Sequence, residues 1–75
     1  MRKRSATADS EAEVAALPLR ELDGQIQRLE LRARKGGPFA LSNSLRKSAF
    51  KKLIWLEAQR ETLHAIPAPD RKFQD

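Results

Sequence analysis

The chain has 75 residues, 33% of them charged, with a net charge of +5, no cysteine and one histidine. That excludes more than one small domain, a disulfide staple or thiolate metal site, and a zinc site built on histidines. A chain this short buries a smaller fraction of its surface than a larger domain does, so helix packing, self-association or a larger partner has to supply its stability.

Residues 1–9 are small, polar and basic and read as a disordered N-terminus. No apolar segment follows the basic start, so no secretory signal is expected and the default compartment is the cytoplasm. Ser10 and Glu13 have the spacing of a capping box, and Glu11 and Glu13 suit the positive end of a helix dipole. A short helix over 10–17 is therefore expected, with a break or kink at Pro18, since an interior proline removes a hydrogen bond and clashes with the preceding turn.

From 18 to 34 the pattern is helical. Leu19, Leu22, Ile26, Leu29 and Ala33 recur at spacings of three and four and share roughly 80° of arc. Asp23, Gln25, Arg28 and Glu30 fall outside that stripe, as does Leu31. Gly24 costs about 1 kcal/mol against alanine in mid-helix and marks a close approach or nothing. "KGGPF" at 35–39 is a helix breaker: Gly36 suits a left-handed cap and Pro38 stops propagation. Ser42, Asn43 and Ser44 are good N-caps for a second long helix over 42–65. Pro67 and Pro69 end it, and 66–75 read as a polar tail with one phenylalanine.

These elements predict an all-α fold, an antiparallel two-helix hairpin with flexible termini, completed by self-association or by a partner. No strand pattern and no internal repeat occurs. The longest bulky apolar run, Leu53-Ile54-Trp55-Leu56, is far short of the ~20 residues a membrane span needs.

That run is the informative one, because consecutive helical residues point about 100° apart. Leu45, Ala49, Leu53, Leu56 and Leu63 form one stripe, the expected mate of the first long helix. Phe50, Ile54 and Ala58 form a second on the opposite side, and Trp55 points in a third direction. One helix covers one stripe. The rest is covered by the segment around Val14 and Leu17 folding back, or by another copy or another protein. The second face, Phe50, Ile54, Trp55 and Ala58, is the expected protein interface.

"RELDGQIQRLE", a short breaker and "LRKSAFKKL" together resemble the YdcH-like family of small bacterial helical-hairpin proteins of unknown function. Leu22, Asp23 and Ile26 match its first helix, and Leu45, Arg46, Lys47, Phe50 and Leu56 roughly match its second, over about residues 19–60. The family continues with a charged segment where this chain has Leu53-Ile54-Trp55. The resemblance implies a hairpin fold and brings no catalytic residue.

Between Glu30 and Glu57 the chain has no acidic residue, while Arg32, Arg34, Lys35, Arg46, Lys47, Lys51 and Lys52 lie between them. A hairpin gathers these at its turn, as a phosphate-binding tip for RNA, DNA or an acidic protein, or as an ordinary solvated surface. No convergent acid, base and nucleophile set is visible, and no cofactor, metal or catalytic residue is expected. Glu57 and Glu61 read as solvated, and His64 as a favourable contact to a helix C-terminus. Two functions follow: a non-enzymatic interaction module or accessory subunit, forming a homo-oligomer or docking on a larger protein, and alternatively a nucleic-acid- or ribosome-associated accessory protein held by the basic turn.

Overall fold

Ser10 starts the first helix, as its spacing to Glu13 predicts. The computed structural model describes residues 8–36 and 41–73, and within them holds three helices and no strand: α1 (Glu11–Ala15), α2 (Leu19–Ala33) and α3 (Asn43–His64). The Ser10 hydroxyl accepts from the Glu13 N–H at 3.2 Å. The Glu13 carboxylate accepts in turn from the Asp9 N–H. Pro18 separates α1 from α2 with an extended backbone, φ −63° and ψ 152°, and its carbonyl takes the Leu22 N–H at 3.0 Å.

α2 gives way to a turn in which Gly36 has φ +71°, the left-handed region that costs a glycine nothing. Gly37 and Pro38 lie outside the described residues. A Cβ at Gly24 would meet only the Arg28 guanidinium, at 3.9 Å, so no close approach explains that glycine. The Ser42 hydroxyl caps α3 by accepting from the Leu45 N–H at 3.3 Å. Ala65 ends α3 in the left-handed conformation, φ 58° and ψ 33°, and donates to the Glu61 carbonyl at 2.9 Å.

α2 packs along α3, and α1 also lies against α3. Leu22, Ile26, Leu29 and Ala33 are buried, as their spacing predicts, and Leu19 is half-buried. From α3 come Ala49, Leu53 and Leu56, but the expected stripe is corrected at both ends: Leu45 is 56% and Leu63 42% exposed. One reason is length. α2 has 15 residues and α3 has 22, roughly 22 Å against 33 Å, so the terminal turns of α3 overhang. The other is rotation. The buried arc runs from Leu56 round to Arg46 and Glu57, roughly 100° or more from Leu45 at its far edge.

The N-terminal segment folds back over the pair. Val14 is fully buried, Ala8 is buried, and Leu17 packs against the same core. The Ala8 N–H donates to Gln25 Oε1 at 3.0 Å, which explains the burial of Gln25, a residue placed outside the stripe by its spacing. Asp9 pairs with Lys52 across to α3. Ala8 and Asp9 are thus held, where the sequence reads as disordered through residue 9; residues 1–7 lie outside the described region.

Candidate interaction face

α3 presents its predicted second face unevenly. Ile54 is 38% exposed and Ala58 is open to solvent. Phe50 and Trp55 are half-buried and pack against the core cluster. The molecule is 17 Å across its thinnest direction, against about 10–12 Å for one helix with its side chains. Among the described residues α3 is packed by α2, by α1 and by the C-terminal segment, and no further helix lies over it. The Lys52 ammonium sits 5.4 Å from the centre of the Trp55 ring while pairing with Asp9, a cation–π contact that screens one side of the indole.

The other cover is the C-terminal segment, which the sequence presents as a polar tail. It lies against α2 and α3 as a strap. Arg71 Nε donates to both carboxylate oxygens of Glu57, at 2.9 and 3.1 Å, and its Nη2 donates to Oε2 at 2.9 Å. Its Nη1 reaches Glu30 Oε2 at 3.2 Å. Glu57 is 2% exposed, which corrects the expectation that it is solvated. A carboxylate buried to this degree needs a charged, multiply donating partner. The hydrogen bonds to Glu57, and then the charges of Glu57 and Glu30, raise the pKa of the Arg71 guanidinium against the lowering effect of burial.

Two residues on, the Phe73 ring meets Phe50 edge-on, with centroids 5.5 Å apart at 67°. The Arg46 guanidinium lies 4.8 Å from the Phe73 centroid and the Lys47 ammonium 5.8 Å. The Ala68 N–H donates to Glu61 Oε1 at 3.4 Å. Elsewhere between α2 and α3, Arg60 Nη1 meets Asp23 Oδ1 at 2.7 Å.

The basic residues separate accordingly. Arg46, expected at a phosphate-binding tip, is 4% exposed, donates to Asn43 Oδ1 and stacks on Phe73. Lys52 is engaged by Asp9 and Trp55. Arg32, Arg34, Lys35, Lys47 and Lys51 are exposed, with Arg34 4.0 Å from Glu30. Arg34 and Lys35 join Arg71 and Lys72 around a cleft of about 300 Å³ whose apolar lining is Ala33, Phe50 and Leu53 and whose acids are Glu30 and Asp70.

Sequence reasoning missed Arg71 and Phe73. The signal was there in weak form: two prolines that favour an extended backbone, then an arginine and an aromatic in an otherwise polar segment. Among the described residues no group of three or more His, Cys, Asp or Glu is placed to hold a metal ion. No described helix is long and apolar enough to cross a membrane. Comparison of the chain with protein-family models, with curated proteins and with solved structures gives no match.

Proposed function

We propose that this chain is a non-enzymatic protein–protein interaction module, an antiparallel helical hairpin of YdcH-like pattern that docks on a second copy or a larger protein through the outer face of α3. The observation that carries this reading is Ile54, 38% exposed beside the open Ala58 and between two half-buried aromatics, Phe50 and Trp55. Isolated exposed aliphatics are common. Here four apolar side chains adjoin on a helix over which the described residues place no further helix beyond α1 and α2, and aromatic anchors of this kind concentrate binding energy at interfaces. The test is Ile54→Glu, measured by light-scattering mass after size exclusion and by far-UV circular dichroism. The expected result is loss of an oligomer with helicity retained. An unchanged mass would overturn the reading.

A second reading has its own observation: Arg34, Lys35 and Lys72 line one cleft beside Arg71, whose guanidinium is held by Glu57 and Glu30. With a net charge of +5, this supports binding of a polyanion such as RNA. Such binding weakens steeply as salt rises, and charge reversal at Arg34 and Lys35 abolishes it. Binding indifferent to salt or to those changes would rule it out.

A further inference from the structure

Three observations about the strap belong together. First, Ile66–Phe73 has no helix or strand of its own and joins α3 through Ala65, a non-glycine residue at φ 58°, where a side chain is sterically disfavoured. Second, its strong anchors are two side chains, Arg71 and Phe73. Both land on groups already fixed by the helix pair: Glu57 and Glu30 for the guanidinium, Phe50 and Arg46 for the ring. Third, the Glu57 carboxylate is 2% exposed. A copy with this groove empty would leave that carboxylate without the guanidinium that covers and pairs it, and an arriving arginine would restore both.

The groove is therefore a built receptor for an extended segment with an arginine followed two residues later by an aromatic ring. One sequence is seen to fit it, this chain's own Ile66–Phe73. Every contact the strap makes within one chain can also be made between two chains, because an identical segment meets an identical groove. The eight residues 66–73, at about 3.3 Å each when extended, span on the order of 26 Å, most of the length of α3. Pro67 and Pro69 favour that extended form. Release at Ala65 also relieves its disfavoured backbone.

We infer that the strap exchanges between copies: Arg71 and Phe73 of one chain occupy the Glu57–Glu30–Phe50 groove of a second copy, and the reverse. This deepens the self-association reading above and rests on it, because it names a second copy of this chain as the partner. Tethering favours the closed monomer through an effective concentration of millimolar order. The exchanged dimer therefore gains most when one copy lacks a usable strap and the other lacks a usable groove.

That asymmetry is the test. One full-length variant carries Glu30→Gln and Glu57→Gln, keeping the strap and losing the groove's charge. The other carries Arg71→Ala and Phe73→Ala, keeping the groove and losing the strap. Each is measured alone and in equimolar mixture by light-scattering mass, far-UV circular dichroism and thermal melting. Exchange gives a mixture with about twice the monomer mass and a melting temperature above either variant alone. If one or both variants are unfolded alone, exchange gives a gain of helicity on mixing. A mixture that behaves as the sum of its components, folded or unfolded, overturns the inference. Failure of the α3 face is read separately, from the mass of Ile54→Glu alone.

Discussion

Arg71→Ala tests the C-terminal strap at its strongest point. The substitution removes three hydrogen bonds to Glu57, made by two donor nitrogens, and one to Glu30. The Glu57 carboxylate is 2% exposed with Arg71 seated. Removing one partner of a fully buried pair costs about 3–5 kcal/mol. This pair is open on one side, since the Arg71 side chain keeps 24% of its surface exposed. Water can replace part of what the guanidinium gave, which brings the expected loss to about 2 kcal/mol. In a domain of this size that is a fall in Tm of roughly 8–16 °C, easily read by circular dichroism melting. A double-mutant cycle with Glu57→Gln isolates the pair. The double variant carries no unmatched carboxylate at position 57, so its loss should be smaller than the sum of the single losses by about 1 kcal/mol or more. Refutation would be an Arg71→Ala variant within about 0.5 kcal/mol of the wild type, with strictly additive energies in the cycle. In that case Glu57 is hydrated in solution and the strap is not seated.

Four further outcomes are expected. Leu53→Ala, in the core, should cost about 2–5 kcal/mol in denaturant titration, while Leu45→Ala should stay within about 0.5 kcal/mol; equal losses would contradict the rotated packing face of α3. Gly24→Ala should raise stability by about 1 kcal/mol, because the new methyl group meets only the flexible end of Arg28, and a fall in Tm would reveal a steric contact there. Ala65→Gly should also stabilise, by up to about 1 kcal/mol, since glycine accepts the left-handed cap that alanine resists; a loss would mean the cap is not left-handed. The raised pKa of Arg71 makes its contribution complete below the ordinary arginine value and lost only as pH rises through the still higher folded value. The Arg71→Ala deficit should therefore be constant between about pH 7 and pH 10, and a deficit that shrinks across that window would assign the tie to another group.

The helices were legible because their signals are local. Ser10 and Ser42 accept from the N–H three residues on, as cap spacing requires, and Pro18 breaks the chain where its ring forbids a helix. The α2 stripe was legible for the same reason, since Leu22, Ile26, Leu29 and Ala33 repeat at helical spacing with few competitors. α3 was harder. Its apolar residues surround the helix, so periodicity offered several faces and could not choose among them. Leu45 and Leu63 lost to the shorter length of α2, Glu57 entered the buried arc because Arg71 of the C-terminal segment pairs with it, and Arg46 did so with the Phe73 ring over its guanidinium. Of the expected interface, Ile54 and Ala58 are open, while Phe50 and Trp55 are half-buried, partly beneath residues brought over them by the two chain ends.

The sequence by itself determined an all-helical chain, the positions where its helices start and stop, and the face that α2 buries. Each depends on side chains within four residues of one another along the chain, where hydrogen-bond geometry and 3.6-residue periodicity act directly. Only the tertiary structure decided which arc of α3 faces inward, that Gln25 ties down Ala8, and that Arg71 and Phe73 close over Glu57 and Phe50. The three named pairs join residues 14 to 23 positions apart. Whether such a contact forms depends on the burial, charge and reach of groups that have no local pattern in common.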